Sequence, residues 1–186
     1  TGREILSKFG FSAYQFARID AWIDPFHDMQ GSSMQVANSM MAIGSGGFFF
    51  ICLGMGLSKF YYLPEAHTDF AFAVLCQEMG FVGAVAVILL LSGLAFYGGK
   101  IAAETNDGYG KILVMGIICL IVGQGIANIA MVSGLLPVIG VPLPFISYGG
   151  TSLIINMFSI GVLINIGRYN AKLRRDNKMS QEPEVI

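Results

Sequence analysis

The chain has 186 residues, of which 54% are hydrophobic and only 12% charged, with a formal net charge of −1. A mean hydropathy of +0.65 excludes an ordinary water-soluble domain. The basic residues do not interleave with aromatic side chains, so nucleic acid is not an expected partner. The three cysteines show no paired spacing, which argues against a disulfide or metal framework.

The first third of the chain, residues 1–69, is expected to form a large loop with interfacial helices. Residues 29–58 carry no charge, and Ser32, Gln35 and Ser39 recur at helical spacing opposite an apolar face. That pattern is typical of a helix lying in the membrane interface. We expect an amphipathic or re-entrant segment here, and a further span stays open as the alternative.

A short stretch at residues 64–70 concentrates two carboxylates, an imidazole and a hydroxyl directly before the longest apolar run (Glu65, His67, Thr68 and Asp69). If a helix begins at its proline, Glu65 and Asp69 share one face, roughly 5–6 Å apart. Two like charges that close destabilise a helix unless a cation, a substrate or water separates them. A solvated helix cap favoured by the helix dipole fits the spacing equally well.

Three long apolar runs predict membrane-spanning helices, because about 20 residues at ~1.5 Å each cross a hydrocarbon core of ~30 Å. The sequence thus predicts an all-α polytopic membrane helix bundle. The expected segments are a span at 70–99, a cytoplasmic loop at 100–111, a span at 112–133, a proline-rich loop at 134–146, a span at 147–167 and a basic tail at 168–186.

A few polar residues lie inside these spans. Glu78 is the one charge in the first span, and a separation of nine residues puts it opposite Asp69 on a helix. We therefore expect Glu78 to have a structural partner. Gln124 and Asn128, four residues apart in the second span, predict hydrogen bonds between helices rather than chemistry.

The segment at residues 134–152 is unusual because it is both apolar and rich in proline. Three prolines within eight residues forbid a helix. Such an apolar loop is expected to pack back into the bundle. Gly149 and Gly150 permit a close backbone approach at the start of the last helix, beside Ser147 and Tyr148. Ordinary small-residue helix packing explains the glycines equally well.

The orientation follows from the basic residues after the last span (Arg168, Lys172, Arg174, Arg175 and Lys178). Basic residues near span ends prefer the cytoplasm. Counting back through the three spans puts the C-terminus inside and the acidic stretch at 64–70 outside. We also expect the chain to be the C-terminal portion of a larger polytopic protein.

The two motifs resemble those of the SEDS family of bacterial membrane glycosyltransferases, the FtsW/RodA/SpoVE group. The resemblance rests on Leu-Pro-Glu-Ala-His-Thr-Asp-Phe at 63–70, on Pro-Leu-Pro-Phe-Ile-Ser-Tyr-Gly-Gly-Thr-Ser at 142–152, and on Arg18 with Asp24-Pro25. It runs over nearly the whole chain up to the basic tail. It favours the division-type, FtsW-like branch over the elongation-type branch.

This resemblance implies polymerisation of lipid II into peptidoglycan strands at the outer face of the bacterial cytoplasmic membrane. Asp69 is then the essential carboxylate, and Lys59 or Arg18 would meet the pyrophosphate leaving group. A divalent cation, Mg or Mn, held by Asp69 or Glu65 is another possibility. The implied partner is a class B penicillin-binding transpeptidase. Supporting or substrate-binding roles fall to the other motif residues (Glu65, His67, Thr68, Ser147, Tyr148, Gly149 and Gly150).

Two other classes of function remain open. A transporter that flips lipid-linked precursors would also use broken helices and intramembrane polar groups. The charged chemistry collects at the outer edge instead, which favours the enzyme. A non-catalytic scaffold for the transpeptidase would keep its full function after Asp69→Ala.

Overall fold

The computed structural model describes residues 18, 22–24, 32–47 and 68–179. The elements in this part of the chain are four helices: α1 (Ser32–Ser45), α2 (Ala71–Glu104), α3 (Gly108–Val132) and α4 (Gly150–Met179). The last three are long and apolar enough to cross a membrane. The predicted all-α membrane helix bundle is confirmed.

The turn between α2 and α3 is shorter than the loop predicted at 100–111. Helix α2 continues to Glu104 and α3 begins at Gly108, because the alanines before Glu104 are strong helix formers. Asp107 ends the turn as the N-cap of α3, and its Oδ2 accepts a hydrogen bond from the Gly110 N–H at 2.8 Å.

Helix α4 begins later and ends later than the predicted span at 147–167. It starts at Gly150 and continues to Met179, through most of the predicted basic tail, because no glycine or proline interrupts residues 168–179. Thirty residues make a helix of about 45 Å, longer than a ~30 Å hydrocarbon core. The basic end of α4 therefore extends past the apolar segment.

Helix α2 is kinked near the end that follows Asp69. Gly80 has φ 64° and ψ −158°, a conformation outside the helical region. The kink leaves the Phe81 N–H free to donate to the Gly47 carbonyl at 3.1 Å. A Cβ atom on Gly46 would overlap the Cys76 carbonyl oxygen. The C-terminal end of α1 therefore fits into the kink of α2, and only glycine permits this approach.

Helix α1 has 14 residues, about 21 Å, and is too short to span a membrane. Ser39, one residue of its predicted polar stripe, does not point away from the bundle. Ser39 is fully buried with Val36, and its hydroxyl oxygen lies 2.8 Å from the Val36 carbonyl oxygen and 3.1 Å from the Val132 carbonyl oxygen, which share its one hydrogen. A serine whose hydroxyl finds main-chain acceptors packs in the core as readily as an alanine.

The bundle has a core at each end. The core at the Asp69 end joins α1, α2, α3 and the proline-rich loop (its buried members include Val36, Phe70, Phe72, Met131, Val138 and Leu143). The core at the opposite end joins α2, α3 and α4 (Ala102, Val114, Ile118 and Leu163). Helices α2 and α3 approach closely there, since a Cβ atom on Gly98 would lie 2.5 Å from Cδ1 of Ile118.

Candidate functional site

Asp69 lies in the turn at residues 68–70, immediately before α2. Its neighbour Phe70 is buried in the core, with 2% of its surface exposed. The Phe70 carbonyl accepts hydrogen bonds from the N–H groups of Ala73 at 3.0 Å and Val74 at 3.3 Å. Asp69 and Thr68, both half-buried, are thus held at the mouth of the helix by a fixed aromatic anchor.

The turn changes the predicted relation between the two acidic residues. A shared helical face requires Asp69 to be helical, whereas α2 begins only at Ala71. Asp69 therefore does not belong to the helix on which the predicted i, i+4 pairing with Glu65 depends. Glu65, His67 and Lys59 lie outside the described residues, and their roles stay predictions.

The proline-rich loop folds back onto the turn that carries Asp69. Val138 and Leu143 are buried in the core of that end, as expected from the apolar composition of the loop. Gly140 adopts φ +77°, in the left-handed region that favours glycine. A Cβ atom there would lie 3.3 Å from Oδ2 of Asp69. The carboxylate therefore lies against the backbone of the loop.

Asn128 of α3 joins the Asp69 turn to the loop. Its side chain is fully buried, and its Nδ2 donates to the Asp69 carbonyl at 2.8 Å and the Val141 carbonyl at 2.6 Å. One turn earlier, Gln124 Nε2 donates to the Pro142 carbonyl at 3.0 Å. The predicted bonds between helices are instead bonds from one helix to the backbone of two connecting segments.

Two residues of the first segment also donate to the loop. Arg18 is half-buried, and its Nη1 donates to the Val138 carbonyl at 2.7 Å. Trp22 Nε1 donates to the Gly134 carbonyl at 2.8 Å. Arg18 thus contacts the loop at Val138, two residues before Gly140. Gly140 is the residue that the Asp69 carboxylate lies against.

The second motif forms a compact turn before α4. Ser147 Oγ accepts a hydrogen bond from the Leu143 N–H at 2.7 Å, and the Ser147 N–H donates to the Leu143 carbonyl at 3.1 Å. Phe145 has φ 66°, which is rare for a residue other than glycine and marks local strain. These contacts show a structural role for Ser147.

Three further residues of this motif have local surroundings that differ. Tyr148 is 82% exposed. The Gly149 carbonyl accepts from the Leu153 N–H at 2.9 Å and so begins the hydrogen bonding of α4. A Cβ atom on Gly150 would meet nothing within 4 Å, so close packing does not explain this glycine. Substrate-binding roles for all three stay predictions.

The described residues contain no group of three or more His, Cys, Asp or Glu side chains that could hold a metal ion. Asp69 is the one carboxylate that they supply at this site. Mg²⁺ can be held by one or two carboxylates when substrate phosphates and waters complete the shell. The donor set therefore fits a cation shared with a phosphorylated substrate, and a cation held by protein alone would need further ligands.

The opposite end of the bundle holds a cavity of about 450 Å³ between α3 and α4. It is lined by the buried pair Thr105 and Asn170, joined by a 2.7 Å hydrogen bond, and by an ion pair of 3.3 Å between Arg174 and Glu104. Neither sequence motif contributes a residue to this cavity. The chemistry predicted from the sequence is therefore assigned to the Asp69 end.

The sequence did not indicate that two residues, Asn128 and Gly140, belong to the site. Asn128 was singled out by its spacing from Gln124, but nothing in the pattern indicated that both of its amide hydrogens meet main-chain carbonyls of distant segments. Gly140 lies between two prolines of an apolar loop, at 137 and 142. That placement is a signal for a left-handed turn residue.

Residues 4–172 match the model of the FtsW/RodA/SpoVE family, described as cell cycle proteins. The chain is 45% identical over 157 residues to stage V sporulation protein E of Bacillus subtilis (strain 168), with 84% of this chain and 43% of the relative covered. It is 45% identical over 154 residues to the probable peptidoglycan glycosyltransferase FtsW of Geobacter sp. (strain M18), with 83% and 42% covered.

A second FtsW, from Bacillus subtilis (strain 168), is 43% identical over 169 residues, with 91% of this chain and 41% of the relative covered. The chain thus spans less than half the length of these relatives. Among solved structures, a chain of a peptidoglycan synthase complex that coordinates polymerization and crosslinking superposes with a TM-score of 0.70. It is 26% identical, and 87% of this chain and 44% of that chain are covered.

Proposed function

Because the chain belongs to the FtsW/RodA/SpoVE family of cell cycle proteins, we propose that it is part of a peptidoglycan glycosyltransferase that polymerises lipid II. The protein is a multi-pass membrane protein with at least the three spans described here. The observation that carries the proposal is the half-buried Asp69 carboxylate, held at one membrane end of the bundle against the Gly140 backbone. Two relatives bear the name of this activity.

Asp69 is the general base of the proposed reaction. The 4-hydroxyl oxygen of the acceptor sugar attacks the anomeric carbon of the donor, and the bond from that carbon to the undecaprenyl-pyrophosphate oxygen breaks. The hydroxyl proton passes to the Asp69 carboxylate. A base must lie within hydrogen-bond reach of the proton that it removes. The fixed turn and the buried Phe70 beside it supply a constant position for Asp69.

The pyrophosphate leaving group needs positive charge. Arg18 is a candidate because its guanidinium lies at the proline-rich loop, where Nη1 donates to the Val138 carbonyl at 2.7 Å. Lys59 is the second candidate. A divalent cation, Mg or Mn, at Asp69 or Glu65 would neutralise the same charge when bound.

The proposed orientation has the Asp69 turn outside and the C-terminus in the cytoplasm of a bacterial cell. Its support is the basic end of α4, where Arg168, Lys172 and Arg175 are exposed beyond the apolar segment. Lipid II presents its sugars at the outer face, so a base at that face meets the acceptor hydroxyl.

The proposed partner is a class B penicillin-binding transpeptidase that crosslinks the new strands. Support comes from the structural neighbour, which belongs to a complex that couples polymerization to crosslinking.

The experiment compares full-length protein with the Asp69→Asn variant, each purified with its transpeptidase partner and supplied with lipid II. Asparagine keeps the shape of the side chain and removes the basic oxygen. Glycan chains from the wild type and none from the folded variant support the proposal. Equal chain formation by both contradicts the role of Asp69 as the general base, and lipid II crossing a vesicle bilayer without polymer formation indicates a transporter.

A further inference from the structure

One buried amide bonds the Asp69 turn to the proline-rich loop. Asn128 lies in the middle of the contact between α3, the turn and the loop, with none of its surface exposed. Its two amide hydrogens meet two different main-chain carbonyls, those of Asp69 and Val141. Each of those carbonyls can only accept, so the orientation of the amide is assigned by its partners.

Each bond fixes a different segment on which the Asp69 carboxylate depends. The bond to the Asp69 carbonyl holds the backbone from which the side chain extends. The bond to Val141 holds the residue next to Gly140, against which Oδ2 of Asp69 lies. One side chain therefore bonds both of the segments whose relative position sets the distance between the carboxylate and the loop surface beside it.

Oδ1 of Asn128 is buried and has no donor among the described residues. An apolar residue of similar shape at this position would remove both donated hydrogen bonds and release both segments.

We propose that Asn128 is a positioning residue that holds the Asp69 carboxylate at a fixed distance from the proline-rich loop. The inference rests on the proposed function, because it assigns Asn128 a role only through Asp69. It concerns the geometry of the base and not the binding of lipid II. Loss of Asn128 therefore lowers kcat and leaves KM nearly unchanged.

The test uses full-length protein with its partner and measures initial rates of lipid II polymerisation over a range of lipid II concentrations. Asn128→Leu removes both donors and keeps a similar volume. We expect kcat to fall about 10- to 100-fold, since a misplacement of about 1 Å costs on the order of 10²-fold, while KM changes less than threefold. A folded Asn128→Leu protein with wild-type kcat overturns the proposal.

Gln124→Met is the matched control. It removes the donor to Pro142 from the same helix one turn away, and Gln124 makes no bond to the Asp69 backbone. We expect kcat within twofold of wild type, with a lower melting temperature. A loss of kcat equal to that of Asn128→Leu would show that any loosening of the loop has this effect, and it would overturn a specific role for Asn128.

Two further variants make every outcome decisive. If Asn128→Leu does not fold, Asn128→Ser retains one donor and leaves room for water, and its kcat decides between the same alternatives. Asp69→Asn, measured in parallel, separates the role of Asp69 in the reaction from the role of Asn128 in positioning it. An active Asp69→Asn protein contradicts the general-base role proposed for Asp69, whereas an inactive one beside a fully active Asn128→Leu protein contradicts only the positioning role.

Discussion

Gly140→Ala perturbs the carboxylate without changing any polar group. The left-handed φ of +77° costs an L-residue about 1–2 kcal/mol. The new methyl carbon would lie 3.3 Å from Oδ2 of Asp69, so the carboxylate must move by a few tenths of an ångström. We expect kcat for lipid II polymerisation to fall about tenfold, which corresponds to about 1.4 kcal/mol of activation free energy.

Gly134→Ala separates the effect on the carboxylate from the backbone strain. Gly134 has nearly the same φ, +76°, but a Cβ atom there would overlap the flexible end of Met40 instead of Asp69. Thermal unfolding of both variants in detergent should show similar losses of stability. Only Gly140→Ala should lose activity at a temperature where both are folded. A parallel loss of kcat in the two variants would show that backbone strain, and not the contact with Asp69, lowers the rate.

Two other predictions concern stability. Gly46→Ala would force the end of α1 away from the Cys76 carbonyl and cost about 1–3 kcal/mol, measured as a lower melting temperature, whereas Gly44→Ala meets nothing within 4 Å and should be neutral or stabilising. Thr105→Val would leave the buried Asn170 amide without its acceptor and cost about 1–3 kcal/mol. Polymerisation by this variant should be unchanged below its melting temperature, because the pair lies at the opposite end of α2 from Asp69, and a loss of activity there would contradict that assignment.

The fold class could be predicted because membrane spans depend on long apolar runs, which are a local property of the sequence. The ends of the helices were less predictable, since α2 continues to Glu104 and α4 to Met179, past the predicted ends of the spans at 99 and 167. The kink at Gly80 left no clear sign in the sequence. The kink accommodates Gly46 and Gly47, which follow α1, through a contact between segments far apart in the chain.

The sequence indicated Asp69 as the titratable residue of the candidate site, but it did not indicate the residues that hold Asp69 in place. Asp69 stood out because a charge beside an apolar run is costly and needs a reason. The roles of Asn128 and Gly140 depend on which backbone atoms face them after folding, and spacing along one helix does not carry that information. Ser39 shows the same limit, because the amphipathic pattern put it on the polar face of an interfacial helix and it is buried in the bundle.

The central claim is that the Asp69 carboxylate acts in the chemical step, and lipid II binding measured beside single-turnover polymerisation tests it most directly. Full-length wild type and Asp69→Asn should bind lipid II with dissociation constants within threefold of each other. We expect the first glycosidic bond to form at least about 10²-fold more slowly in the variant, because general acid–base catalysis contributes on that scale. An unchanged single-turnover rate, or a rate loss explained entirely by weaker binding, would contradict the claim.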